Sequence, residues 1–248
     1  MKLFRLYSYF SLQFFRGLLA RVFIILTMIL CVYLFTTQTL PHSTVVHQIC
    51  LILVLAFYIV ATAGSIIEKT EQYSIELILS KPFTRRDVIL ADFLSGVTVT
   101  SALTLLLSLV LTLVYGIRAH EWSTTFLALA IILIVNFISL YSFIVLSGIL
   151  LKNVAIVTVF WIGYLYVGAL FLEARTELIY PQAGANFFIK AIFDGLYYLL
   201  PQIYAVSRAV TALLSNTIWN PQSIIFTLSG GIAALVSSMY LFNRQELE

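Results

Sequence analysis

Charged residues are scarce in this chain of 248 residues. Asp, Glu, Lys and Arg make up 10% of it and hydrophobic residues 61%, whereas soluble globular domains carry about 25% charged residues. The mean hydropathy is +1.03. This composition excludes an ordinary soluble domain and predicts an integral membrane protein. The net charge of +3 is small, and we expect no nucleic-acid partner.

Cysteine, histidine and the common catalytic motifs are also rare or missing. Cys31 and Cys50 lie in or beside apolar runs without CxxC spacing, which predicts packed free thiols. His42 and His47 share a short loop but lack a third ligand, which makes a weak metal site. The chain contains no G-x-x-x-x-G-K-[ST], H-E-x-x-H or G-x-S-x-G motif. We therefore predict no catalytic residue, no metal site and no cofactor bound by this chain.

Long apolar runs are what the sequence does have. A helix needs about 20 apolar residues to cross a bilayer, and six stretches qualify. They are residues 18–35, 49–67, 88–117, 124–151, 154–172 and 223–242. The run 187–200 is shorter, is interrupted by Asp194 and Gly195 and is followed by Pro201. It predicts an interfacial or re-entrant segment instead of a seventh span, with Asp194-Gly195 turning the chain between two short helices.

The basic residues predict the orientation. With six spans both termini share one side, which holds ten of the fourteen basic residues; the other side holds Arg118, Arg175, Lys190 and Arg208. The side with more Lys and Arg is cytoplasmic. We therefore predict one all-α transmembrane domain over 1–248 in the cell (inner) membrane, with cytoplasmic termini, a cytoplasmic loop at 68–87 and an extracytoplasmic segment at 173–221. Residues 1–16 are amphipathic and predict an interfacial helix or an extension of the first span.

The loop at 68–87 has a pattern of its own. Ile75, Ile78 and Leu79 are spaced as on one face of a short helix, and the residue before Pro82 is disfavoured in a helix. Thr84 and Asp87 then predict a capping box that starts the next helix. Two arginines follow Thr84 in the first turn, where the helix dipole disfavours cations. They indicate either a contact with anionic lipid or a docking element for a cytoplasmic protein.

This loop resembles a known motif. Glu68, Glu71, Ser74, Glu76 and the run LILSKPFTRRD at 77–87 are similar to the E-x-x-x-G-T-x-E-x-L-L-S-x-P-x-S-R-x-x motif of ABC-2 type transporter permeases. The ending FNRQEL at 242–247 resembles the F-x-R-R-D-L ending of six-span members of that family.

The resemblance implies a function and partners. In that family the loop is a coupling helix that docks on a separate cytoplasmic ATPase, and two ATPases join two permease chains. ATP and Mg would bind to the ATPase, and the second permease would be an identical or a related chain. The docking residues implied here are Glu68, Glu71, Ser74, Glu76, Lys81, Pro82, Arg85, Arg86 and Asp87.

The substrate path is less marked. Apolar spans favour a hydrophobic substrate. Asn136 is the strongly polar side chain at mid-depth, and it faces either a path or a neighbouring helix. Phe193 and Tyr197 belong to the outer segment, which we expect to cap the exit of the path or to form a lid without cargo contact. Asp92, near the start of the third span, predicts an interfacial acid. The alternative functions are a channel, a scaffold or a force-transmitting protein without cargo, and an intramembrane enzyme.

Overall fold

The structure is a computed structural model. It describes residues 2–16, 18–37, 41–70, 84–120, 122, 124–183, 187–214 and 220–244. All regular secondary structure in these residues is helical, which confirms the predicted all-α class.

Seven long helices make up most of the described chain. They are α1 Lys2–Arg16, α2 Leu18–Thr36, α3 Ser43–Thr70, α4 Arg85–Arg118, α5 Thr125–Leu151, α6 Val154–Glu173 and α11 Gln222–Arg244. A π-helical turn, Tyr164–Gly168, lies within α6. Between α6 and α11 the described residues contain four shorter helices. They are α7 Arg175–Leu178, α8 Tyr180–Ala183, α9 Phe187–Leu199 and α10 Ile203–Leu214.

Among the described residues, five helices are long and apolar enough to cross a membrane. These stretches are Val45–Gly64, Arg86–Arg118, Thr125–Leu151, Val154–Glu173 and Gln222–Arg244. The apolar stretch of α2, Ala20–Thr36, is shorter than these five. The chain therefore has the helices of a multi-pass membrane protein, and the sixth predicted span stays a prediction.

Helix α5 lies at the centre of the bundle. It packs against α3, α4, α10 and α11, and 72% of its most apolar window is buried, against 22% for α6. The side chains of Leu129, Phe137 and Tyr141 are almost entirely enclosed. By contrast, Val159 and Val167 of α6 are largely exposed. Such a surface is stable where lipid is the solvent, so α5 is the core helix and α6 a peripheral one.

One end of the bundle is defined by contacts between helix termini. Arg118 Nη1, at the end of α4, donates to the carbonyl oxygens of Leu34 (2.6 Å) and Thr37 (2.9 Å). These carbonyls lie at the end of α2, where no backbone N–H of the helix is available to bond them. The Tyr115 hydroxyl donates to the Pro41 carbonyl at 2.8 Å. Helices α7 to α10 lie at this end as well, and α7 begins at Arg175. We therefore call it the Arg175 end and the opposite one the Thr84 end.

Helix α1 packs on the first turns of α4 at the Thr84 end. Leu6 and Phe10 are buried against Val88 and Ala91. The opposite face of α1 exposes apolar side chains such as Phe4, which is 70% exposed. Residues 2–16 therefore form the helix that the sequence predicts. Its place at a membrane surface stays a prediction, which the exposed apolar face favours.

Helix α9 corrects one prediction. It runs from Phe187 to Leu199 without interruption, so the expected turn at Asp194-Gly195 is wrong. A glycine inside a helix costs only about 1 kcal/mol, and the Asp194 side chain is held by an ion pair with Arg175. No residue of α9 is buried, and Phe187 and Phe188 are 79% and 77% exposed.

Candidate functional site

The predicted docking loop lies between α3 and α4. Glu68 lies in the last turn of α3, and Arg85 is the first residue of α4. The other predicted docking residues before Thr84 lie outside the described residues; they are Glu71, Ser74, Glu76, Lys81 and Pro82. The docking prediction itself is thus not tested by the structure.

The start of α4 confirms the predicted capping box. The Asp87 backbone N–H donates to Thr84 Oγ1 at 3.2 Å, and the Thr84 N–H donates to Asp87 Oδ2 at 3.0 Å. Two backbone donors that the helix cannot satisfy are bonded in this way. Arg86 is exposed beside the cap. The loop therefore joins α4 at a fixed helix start, with a cation facing outward.

Asp92 forms a buried contact that the sequence did not predict. Its side chain is fully buried within the protein, and its expected depth at the membrane interface stays a prediction. The Tyr141 hydroxyl of α5, also fully buried, donates to Asp92 Oδ2 at 2.6 Å. A buried carboxyl group is stable when it accepts such bonds. The pair therefore joins α4 to α5 near the Thr84 end.

Aromatic rings and a glycine enclose this pair. Phe93 and Phe137 stack on the Tyr141 ring, with centroid distances of 5.5 and 5.3 Å. A Cβ atom at Gly96 would lie 2.3 Å from Tyr141 Cε1, which is far inside van der Waals contact. Gly96 thus provides the space for the Tyr141 ring. The contact depends on residues far apart in the sequence, so hydropathy could not reveal it.

Asn136 is fully buried in α5. Its Nδ2 donates to the Ile132 carbonyl of the same helix at 3.0 Å. Its Oδ1 and the Ser139 hydroxyl, one turn later, have no hydrogen-bond partner in the described part of the chain. Helix α11 passes close by, because a Cβ atom at Gly231 would lie 2.9 Å from Ser139 Cα. The structure thus places polar atoms at the α5–α11 contact, and a role in a substrate path stays a prediction.

At the Arg175 end, charged and aromatic residues form a cluster. Arg175 Nε donates to Asp194 Oδ1 at 2.8 Å, and Nη1 donates to the Leu172 carbonyl at 3.2 Å. The guanidinium carbon lies 3.6 Å from the centroid of the Tyr197 ring, a cation–π contact. A hydrogen bond from Tyr180 and the Arg175 guanidinium hold the pKa of the Asp194 carboxyl below its usual value. This cluster attaches α9 to the end of α6.

Two further contacts fix α10 and the segment before it. Arg208 of α10 forms an ion pair with Glu173, the last residue of α6. The hydroxyl of Tyr164, in the π-helical turn, donates to the Pro201 carbonyl at 2.7 Å. π-Helical turns are frequent at functional sites. Here a buried tyrosine of the turn bonds the segment between α9 and α10.

Two cavities adjoin this cluster. The first has a volume of about 400 Å³ and is lined by Arg175, Tyr197, Gln202, Arg208, Gln222 and Phe226, among others. The second, of about 540 Å³, lies on the other side of α10 and is lined by His47, Gln48, Thr125 and Thr211, among others. Arg208 and Ala212 line both cavities. Helix α10 thus separates two open chambers at the Arg175 end.

The structure does not assemble the three predicted path residues into one site. Tyr197 lines the first cavity, whereas Phe193 contacts Phe171 of α6, with ring centroids 6.1 Å apart. Asn136 lines neither cavity. The sequence analysis missed Arg175 and Arg208 as site residues. The available signal was the group of charged residues in the outer segment, among them Arg175, Asp194 and Arg208.

Comparisons with known proteins give no match: no family model, no curated protein and no solved structure is significantly similar to this chain. The functional conclusion therefore depends on the sequence motifs and on the geometry above.

Proposed function

We propose that this chain is the membrane-spanning permease subunit of an ABC-2 type exporter. It would couple ATP hydrolysis by a separate cytoplasmic ATPase to the export of a hydrophobic substrate. The observation that carries the proposal is the sequence at 68–87, whose acidic residues, LILS run, proline and Thr84-Arg-Arg-Asp87 resemble the coupling motif of that family. The helical multi-pass architecture supports it.

The geometry of α4 supports a coupling role for the loop. The helix starts at the Thr84 cap and continues unbroken to Arg118, so its 34 residues extend about 51 Å. Arg118 then holds the end of α2 through two backbone carbonyls. A displacement of the loop would thus reach the opposite end of the bundle through one rigid element. This is the mechanical property that a coupling helix requires.

The full topology belongs to the proposal. Helix α2 has 19 residues, which extend about 28 Å at 1.5 Å per residue, close to the thickness of a hydrocarbon core of about 30 Å. We assign it as the sixth span, with both termini and the loop 68–87 in the cytoplasm. The segment 173–221 would then face outward in the cell membrane, beside a second permease copy.

Two copies of the ATPase would dock on the two permeases, and ATP closure would move the paired coupling loops. Helices α2 and α6 would face lipid, because they expose apolar side chains such as Ile25 of α2 and Val159 of α6. The spans carry few charged groups, which favours a lipid-like or other hydrophobic cargo. The chain itself would supply neither the ATP site nor the Mg ligands.

Co-purification of ATPase activity tests the proposal. The tagged chain is expressed in its own host, solubilised in mild detergent and assayed for Mg-dependent, vanadate-sensitive ATP hydrolysis. We expect hydrolysis with the wild-type chain and its loss with Glu76→Lys, which reverses a charge in the loop. Glu177→Lys is the matched control, because Glu177 is exposed at the Arg175 end.

The control should retain the wild-type ATPase activity. Absence of ATPase activity from the wild-type preparation would contradict the proposal. Full ATPase activity in Glu76→Lys would show that Glu76 does not take part in docking. Ion conductance by the purified chain alone would instead favour a self-sufficient channel.

A further inference from the structure

The first cavity at the Arg175 end has an unusual lining. Arg175 and Arg208 both line it, and no Asp or Glu is among its described lining residues. Their acidic partners, Asp194 and Glu173, bind the guanidinium groups from outside this lining. The lining itself therefore contributes two guanidinium groups and no carboxylate, and guanidinium groups match anionic oxygen ligands in geometry.

Arg208 is the more accessible of the two cations. Its side chain is 69% exposed, and its contact with Glu173 joins one nitrogen to one carboxylate oxygen. A guanidinium group has five N–H donors and matches phosphate oxygens in geometry. The Glu173 side chain is 17% exposed, and its carboxylate contacts one guanidinium nitrogen, so a phosphate can share Arg208 through its other N–H donors.

Part of the remaining lining fits a molecule with an apolar part, and Gln202, Asn220, Gln222 and Ser223 add polar groups. Ala205, Ala209 and Ala212 lie at i, i+4 and i+7 and form a small-residue face of α10 along the cavity. Phe226 and Tyr198 line it from α11 and α9. Larger side chains at the three alanines would fill this space. The cavity thus joins a cationic rim to an apolar wall.

The position of the cavity relative to the ends of the candidate spans indicates that its ligand is a membrane lipid. Gln222, which lines it, is the first residue of the candidate span Gln222–Arg244, and Glu173 is the last residue of Val154–Glu173. The cavity is therefore level with the ends of the apolar helices, where lipid headgroups lie. Helix α9 lines the cavity with Tyr197 and Tyr198 and exposes Phe187 and Phe188 in its first turn, as expected of a helix at an acyl-chain boundary.

We propose that this cavity binds the phosphate headgroup of an anionic membrane lipid, with Arg208 and Arg175 as its cationic ligands. A zwitterionic headgroup would place its own cation beside these arginines and would bind more weakly. The site prefers an anionic lipid whether or not the chain exports a substrate, so it does not depend on the proposed transport.

Native mass spectrometry of the full chain in detergent tests the site. Dioleoyl phosphatidylglycerol, the anionic probe, is titrated against dioleoyl phosphatidylcholine, and glycerol phosphate is titrated separately as the soluble headgroup. We expect phosphatidylglycerol to bind about tenfold more tightly than phosphatidylcholine, as one charge-assisted hydrogen bond allows. Arg208→Gln should abolish this preference.

Lys190→Gln is the control, because Lys190 is a cation at the same end that does not line the cavity. It should leave the preference unchanged. Equal binding of the two lipids by the wild-type chain, or an unchanged preference in Arg208→Gln, would overturn the proposal. Glycerol phosphate binding as tightly as phosphatidylglycerol would assign the cavity to a soluble phosphate and would overturn the lipid assignment.

Discussion

The buried bond between Tyr141 and Asp92 gives a quantitative prediction. Tyr141→Phe removes the hydroxyl that donates to Asp92 Oδ2 at 2.6 Å and leaves the ring in place, so no large cavity forms. A hydrogen bond contributes about 1 kcal/mol when both groups are neutral and about 1.5–3 kcal/mol when one is charged. We therefore expect the free energy of unfolding to fall by about 1–3 kcal/mol.

A double-mutant cycle assigns this loss to the pair. Unfolding is followed by SDS titration in mixed micelles for Tyr141→Phe, Asp92→Asn and the double variant. We expect a coupling energy within the range of about 0.5–3 kcal/mol that is usual for residues in contact. Tyr33→Phe is the matched control, because the Tyr33 side chain is 55% exposed, and its effect should stay within about 0.5 kcal/mol.

Two results would refute this reasoning. Tyr141→Phe could cost no more than Tyr33→Phe, which would mean that the hydroxyl makes no stabilising bond. Alternatively, Tyr141→Phe could cost the same in the Asp92→Asn background as in the chain that keeps Asp92. The hydroxyl would then not act through the carboxylate.

Three further predictions concern the cap, the outer cluster and the topology. Thr84→Ala should cost about 1 kcal/mol and speed hydrogen exchange in the first turn of α4. Bonds from Tyr180 and Arg175 lower the pKa of Asp194, so they stabilise α9 above the usual Asp pKa of about 4, and this stabilisation is lost as the pH falls through the lowered value. The protection of the α9 amides against hydrogen exchange, corrected for the pH dependence of the intrinsic rate, should therefore fall in acid, and not in Asp194→Asn. Cysteines at Gln72 and Gln182, in a chain without its two native cysteines, should react with an impermeant reagent from opposite faces of the membrane; labelling from one face would contradict the six-span topology.

The spans and the cap could be predicted because they depend on local sequence. Apolar length alone located the helices that contain residues 88–117 and 124–151, although the structure begins the first of these at Arg85. Thr84 and Asp87 are three residues apart, so the capping box was also readable from the sequence.

Contacts between distant residues could not be predicted. The bond between Asp92 and Tyr141 joins positions 49 residues apart, so no local pattern indicates it. The break at Asp194-Gly195 was predicted from local propensity, but the ion pair with Arg175 holds the aspartate within a continuous helix. Such tertiary contacts override a cost of about 1 kcal/mol for a helical glycine.

We propose that the loop at 68–87 transmits ATP-driven motion to the opposite end of the bundle. Ala212 lines both cavities at that end, so a single cysteine at this position reports on their opening. The Ala212→Cys chain, without its two native cysteines, is co-purified with its ATPase into nanodiscs and labelled with a maleimide. We expect ATP with vanadate to change the labelling rate several-fold and Glu76→Lys to abolish the change. An unchanged rate with ATP and vanadate would contradict the proposal.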